Sequence, residues 1–237
     1  VQGSAMADYV FNELGLTSAA AIHDGDPYTE GLANAFATSF EELGGEIVEF
    51  TAINVGDTDM RPVLTSVAAA GPPDFLYYPV FTAECAFLTK QAKEVAGLEN
   101  TIVAAADGCI SDAAKEAIGD AGEGMRFSGP DIAFTGEEYE KFKAAYQEKY
   151  GTDTLSVFHA HAYDATNMIF ACIEKVGVAE EDGTLHIGRQ AMRDCLYATS
   201  GFAGITGSLT CDEVGDCADP KISVSELQNN EYTRIWP

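Results

Sequence analysis

The sequence predicts an α/β fold built on an open, mainly parallel sheet. Three observations carry that expectation. A short apolar stretch, a polar loop and an amphipathic helical stretch follow one another four times within the first 120 residues. The stretch at residues 75–78 is continuously apolar, the pattern of a strand covered on both faces, and 101–105 reads the same way. Each loop after these strands carries a carboxylate or an aromatic side chain. In such sheets ligands bind just beyond the carboxyl ends of the strands.

The elements follow in order. Met6, Val10, Phe11 and Leu14 recur at helical spacing, and Gly15 closes the pattern. Residues 19–22 form a short apolar strand that opens into Asp24, Asp26 and Tyr28. Residues 29–43 read as a helix with Leu32, Phe36 and Phe40 inward, ended by Gly44-Gly45. Residues 46–51 alternate as a strand. Asp57 or Thr58 caps a helix over about 60–70, where Pro62 suits the first turn. Gly71-Pro72-Pro73 breaks it. The strand at 75–79 opens into Phe81 and Glu84, ahead of a helix over 83–95. The strand at 101–105 opens into Asp107, and a short helix over 112–118 has Asp112 at or near its N-cap. Residues 125–128 make a last short strand.

The character changes after Gly129-Pro130. Helical patterns at 137–150, 158–176 and 187–197 follow with little strand between them, and then a polar hairpin from 207–211 and 221–227. Those helices need another surface to pack on, which predicts a domain break near 128–131. The expected organisation is 1–128 as a ligand-binding lobe, 129–203 as a helical segment of another lobe, and 204–237 as a return hairpin and tail.

The net charge is -25, from 38 acidic and 13 basic residues. Such a surface repels phosphate, so nucleic acid and anionic membrane are poor partners. The charge serves solubility, or attracts a cationic ligand. No apolar run approaches the roughly 20 residues that span a bilayer. The first residues show no basic or apolar leader and read as the opening turns of a helix, as in a processed or truncated product.

Six cysteines permit three disulfides. Cys211 and Cys217 bracket a turn-like Asp-Glu-Val-Gly-Asp. Cys85 and Cys109 each follow a strand, and meet if those strands are neighbours. Cys172 and Cys195 lie on helical patterns that can pack together. A full set implies an oxidising compartment; the alternative is six buried free thiols.

The sequence carries no nucleophile elbow, phosphate loop or dinucleotide fingerprint, and implies no cofactor. Asp24, Asp26, Tyr28 and Glu30 lack the glycine and terminal glutamate positions of a calcium loop. His159 and His161 are two apart on a helix and face different ways, so they make no metal pair. His23, at a strand end, is a weak cleft candidate. What remains is a carboxylate and aromatic set. Asp107 precedes Gly108, which allows close backbone approach to a ligand, and a carboxylate there suits an ammonium group. Tyr28 and Phe81 supply apolar walls. The structural alternatives are a helix cap for Asp107 and helix–sheet packing for the two rings.

Several segments carry a resemblance. They are Ala-Ala-Ile-His-Asp-Gly-Asp-Pro-Tyr-Thr-Glu-Gly-Leu-Ala-Asn-Ala at 20–35, Asp74-Phe75-Leu76-Tyr77-Tyr78, Gly122-Glu123-Gly124-Met125 and Ala162-Tyr163-Asp164-Ala165. Gly204-Ile205-Thr206-Gly207 and Asp212-Glu213-Val214-Gly215-Asp216 complete the set. In this order and spacing the chain resembles the branched-chain amino-acid-binding solute receptors of ABC transporters, the type I periplasmic binding proteins. The resemblance implies two Rossmann-like lobes with a ligand between them, here one lobe and an incomplete second. Family members carry a long N-terminal stretch ahead of the position matching Val1. Its absence would expose the apolar sides of 158–176 and 187–197 and favour self-association.

By resemblance Asp107 matches the acidic residue that holds a ligand α-amino group, with one methylene less reach than the family's glutamate. Tyr28 matches an aromatic of the first cleft loop, Phe81 falls near an aromatic that covers the ligand, and Phe158 falls near an apolar contact. The implied function is an extracytoplasmic, non-enzymatic binding protein that delivers an amino acid to an ABC permease. The alternatives are a sensory domain of the same fold, or a metal-dependent hydrolase using Asp24, Asp26 and Asp107.

Overall fold

The computed structural model describes residues 1–131, 133–217 and 221–237. The chain divides into two units, Val1–Asp131 with Lys221–Pro237, and Ile132–Pro220.

In the first unit, α1 (Gln2–Asp8) continues through a π turn at Tyr9–Glu13. Then come β1 (Ser18–His23), α2 (Pro27–Leu43), β2 (Glu46–Ala52), α3 (Arg61–Ala70), β3 (Phe75–Tyr77) and α4 (Thr82–Ala92). After these follow β4 (Ile102–Ala106), α5 (Asp112–Ile118) and β5 (Arg126–Pro130). In the second unit, α6 (Glu137–Tyr150) and α7 (His159–Val176) precede β6 (Val178–Ala179), β7 (Leu185–His186), α8 (Arg189–Tyr197), β8 (Phe202–Gly204) and β9 (Gly207–Leu209). The chain ends in the first unit with β10 (Ile222–Gln228) and β11 (Glu231–Trp236).

The first unit's sheet runs β11-β10-β5-β4-β3-β1-β2. Its five strands β5, β4, β3, β1 and β2 are mutually parallel, while β10 and β11 extend it antiparallel. Period-two alternation explains why the apolar runs are continuous. Ala19, Ala21, Phe75, Tyr77 and Ala104 face α1 and α2; Ala20, Ile22, Leu76, Tyr78, Val103 and Ala105 belong to the core shared with α3, α4 and α5. The small residues of β1 leave room for Phe36, whose ring lies 4.9 Å from that of Tyr77 and 5.5 Å from that of Phe40.

Two local expectations are corrected and one is met. Met60, not Asp57 or Thr58, precedes α3 with no side-chain cap. Asp57 instead accepts the backbone and side-chain N–H groups of Asn54, closing the β2–α3 loop. Asp112 opens α5 directly after the cap residue, Ser111, whose hydroxyl accepts the Ala114 N–H at 3.0 Å, as expected of a residue at or near the N-cap. The hairpin expected from 207–211 and 221–227 does not form: β9 pairs with β8, while β10 pairs with β11 and β5. Polar alternation marks strands but not their partners, and Arg126 opposite Glu226, 2.8 Å apart, suits β10 to β5.

Strand pairing sets where the first unit leaves off and resumes, at Asp131 and Lys221. Strand pairing carries β5 on to Pro130, and the Asp131 N–H donates to Lys221 O at 2.7 Å. The β8–β9 hairpin stays in the second unit because Asp164 of α7 grips its turn. Asp164 accepts the N–H groups of Ile205 and Thr206 and the Thr206 hydroxyl at 2.6–2.9 Å. A Cβ on Gly204 would lie 2.3 Å from an Asp164 oxygen, so the turn needs glycine there.

All six cysteines pair as Cys85–Cys109, Cys172–Cys195 and Cys211–Cys217. Among the described residues no helix is long and apolar enough to cross a membrane.

Candidate ligand-binding site

Because β4, β3 and β1 are adjacent and parallel, the loops after them share one edge of the sheet. The first of these loops is built by its own carboxylates. Asp24 is buried and accepts the Thr29 hydroxyl at 2.5 Å and the Asp26 N–H at 3.1 Å. Asp26 caps α2 by accepting the Tyr28 N–H at 2.8 Å, with Pro27 in the first turn. These two acids shape the loop, and Tyr28 is the side chain it delivers to the edge. His23 is likewise engaged locally, its Nδ1 accepting the Gly25 N–H at 3.2 Å and its ring 5.3 Å from that of Phe50.

The second loop, between β3 and α4, presents Phe81, which is 44% exposed. Its ring stacks on Tyr28 with centroids 6.1 Å apart and planes at 26°. Neither ring is packed between helix and sheet. Glu84, one turn into α4, goes elsewhere: it is buried and accepts the Gly56 N–H of the β2–α3 loop at 2.9 Å.

The third loop is a 3-10 turn, Asp107–Cys109, and Asp107 caps no helix. Its Oδ1 accepts the Tyr28 phenol at 2.5 Å and Gln2 Nε2 at 2.7 Å. Burial, reinforced by hydrogen bonding and charge from Asp107, pushes the Tyr28 phenol far above its usual range, so it remains a protonated donor. The turn is fixed on two sides. Cys109 is bonded to Cys85 of α4, and the Tyr232 hydroxyl of β11 bonds Cys109 O at 3.2 Å. Gly108 lies close against Phe81: a Cβ there would lie 3.0 Å from the ring. Tyr77, buried beneath, bonds Ser128 Oγ at 3.1 Å.

The structure therefore brings Asp107, Tyr28 and Phe81 together and turns Glu84 of α4 away to the β2–α3 loop. Phe158 lies in the second unit, at the cap position of α7, 42% exposed. In that unit His159 is held by Tyr139 and by Ser156 O, at 2.8 and 2.6 Å. His161 packs its ring edge against Phe134, and burial lowers its pKa. Among the described residues no group of three or more His, Cys, Asp or Glu side chains is placed to hold a metal. Sequence reasoning missed Gln2, whose partner Asp107 is 105 residues away, and Asp164, whose signal was a carboxylate on the apolar side of a helix.

With this geometry in hand, comparison with known proteins gives one family. The model for the periplasmic binding proteins matches residues 1–216. The chain belongs to this family. Among curated relatives it is 29% identical over 229 residues to a leucine-, isoleucine-, valine-, threonine- and alanine-binding protein of Pseudomonas aeruginosa. That match covers 95% of this chain and 57% of the relative. A Leu/Ile/Val-binding protein homolog of Brucella melitensis is 27% identical, covering 99% of this chain and 60% of that relative. Among solved structures, a leucine-binding protein from Thermotoga maritima superposes with a TM-score of 0.84 at 27% identity, covering 99% of this chain and 64% of that one. The fold is therefore that of the type I periplasmic binding proteins, as the sequence resemblance implied. The chain spans 57–60% of the length of these two curated relatives.

Proposed function

We propose that this family member serves as the solute-binding component of an extracytoplasmic amino-acid import system of the branched-chain type, delivering its ligand to an ABC permease. Asp107 takes the ligand's ammonium group by a charge-assisted hydrogen bond, and the stacked Tyr28 and Phe81 rings form an apolar wall beside it. The observation that carries this reading is the grouping of one half-buried carboxylate and two solvent-facing rings on three adjacent strand ends. That is where open parallel sheets bind ligands. The names of the relatives support the ligand class. Three disulfides support an oxidising, extracytoplasmic setting. The work done is binding with hinge closure rather than catalysis.

Calorimetry tests it, using leucine, isoleucine, valine and alanine against this chain, alone and joined to the N-terminal stretch that the family resemblance implies. The expected result is binding by at least the joined form, weakened about 100-fold or more by Asp107→Ala, as loss of a desolvated charge pair implies. Unchanged affinity in Asp107→Ala overturns the assignment of the carboxylate. Binding of none of these amino acids by either form overturns the ligand class.

A further inference from the structure

Gln2 opens α1, far in sequence from the strand ends, yet its side-chain amide reaches the site. One Nε2 proton goes to Asp107 Oδ1 at 2.7 Å and the other to Ser128 O on β5 at 2.9 Å. Both acceptors are oxygens, so the orientation of the amide is fixed by chemistry. Ser128 is fully buried, and its position is set by pairing with Ala106 on one side and Val224 on the other. Gln2 thus ties Asp107 to the middle of the sheet. Gly129, next along β5, packs against the same side chain: a Cβ there would lie 3.4 Å from Asp107 Cβ.

The consequence falls on the two carboxylate oxygens unequally. Tyr28 and Gln2 both donate to Oδ1, which fills its two lone pairs. Oδ2 accepts no hydrogen bond among the described residues, and it is not among the buried side-chain oxygens left unpaired. The carboxylate therefore offers a ligand one oxygen, not a pair.

We propose that Gln2 is the positioning residue of Asp107, and that by occupying Oδ1 it makes the site select a primary ammonium over a guanidinium. An ammonium needs one strong acceptor and can place a second N–H on the Tyr28 oxygen. A guanidinium gains its advantage from a parallel two-oxygen fork, which a filled Oδ1 denies. The assignment rests on Asp107 being the ligand carboxylate, as proposed above. Its supporting bonds fix the rotamer before a ligand arrives, so less is lost on binding.

The test has two arms. In the first, side-chain amide exchange of Gln2 is followed by NMR in the ligand-free chain. Protection of both Nε2 protons, with one released in Asp107→Ala, supports the positioning. Exchange at the rate of a free glutamine side chain overturns it, whether or not any amino acid binds. In the second, Gln2→Met is compared with the unaltered chain, in the form that binds leucine, for leucine, its N-guanidino derivative and 4-methylpentanoate. The expected outcome is about tenfold weaker leucine binding, a tenfold or greater fall in preference for leucine over the guanidino derivative, and unchanged 4-methylpentanoate binding. Equal weakening of all three, or no change in preference, overturns the selectivity role. If leucine binds neither form while the Gln2 amide is protected, the receptor reading fails while the grip on Asp107 is confirmed.

Discussion

The two units of this chain are held together by different means. The first has two continuous apolar clusters, one on each face of a seven-stranded sheet, with Phe36, Phe40, Phe75 and Tyr77 fully buried. In the second, among the described residues, Tyr139, Ala160, Met168 and Cys172 are the only buried apolar side chains. Phe158, Tyr163, Ile169 and Phe170 of the same unit remain exposed. What organises it instead is a set of local ties: the Cys172–Cys195 bond between α7 and α8, the Cys211–Cys217 loop, and the Asp164 grip on the β8–β9 turn. A sheet buried on both faces can be stable by burial alone. A helical layer with one apolar side in solvent relies on covalent and polar ties.

The sharpest way to break that contrast is a core truncation. Phe36→Ala should destabilise the first unit by about 4 kcal/mol, the usual cost of a large aromatic cavity. Hydrogen exchange should show the loss across β1, β3 and α2, with exchange in α8 unchanged. Replacing Cys172 and Cys195 together by serine should act the other way round. No residue of α8 is buried, so the bond is its main anchor. Loss of a bond closing a loop of this length costs about 3 kcal/mol. Protection should vanish in α8 while the sheet keeps its own.

Asp164→Ala should cost about 2 kcal/mol by leaving the Ile205 and Thr206 N–H groups without their acceptor. Fast exchange at those two amides, with the remainder of α7 retained, would be its signature. The smallest effect concerns alkaline pH. Burial raises the phenols of Tyr28, Tyr77 and Tyr78, and pushes Tyr232 up to about 12, all in the first unit. The unfolded chain releases these protons near pH 10 and the folded unit holds them. The stability they confer is complete below pH 10 and is lost as pH rises from there toward the folded values. Thermal melts above pH 10 should lose the first unit, and Tyr78→Phe should flatten that decline. A decline that begins below pH 9 would place its origin elsewhere.

Much of this was legible from residues alone. The apolar runs at β3 and β4 announced buried parallel strands, because both faces of such strands need cover. Tyr28, Phe81 and Asp107 were legible as a group because strand ends in such a sheet share an edge. Less visible were the partners. Asp57 looks like a helix cap, yet it closes its own loop with Asn54, since a cap is decided by backbone conformation one residue either way. Glu84 looks like a cleft acid but lies buried against the Gly56 N–H of another loop.

By itself, then, the sequence determined the alternation of strands and helices, the family, and the edge of the sheet that carries Tyr28, Phe81 and Asp107. Those rest on periodicity and on short motifs, which are local. Only the tertiary structure decided that β10 pairs with β5, that Asp164 holds a turn some 40 residues on, and that Gln2 fills one oxygen of Asp107. Those are contacts between positions distant along the chain. A hydrogen bond of that kind leaves no spacing to read, because its geometry exists only once the sheet has brought the partners together.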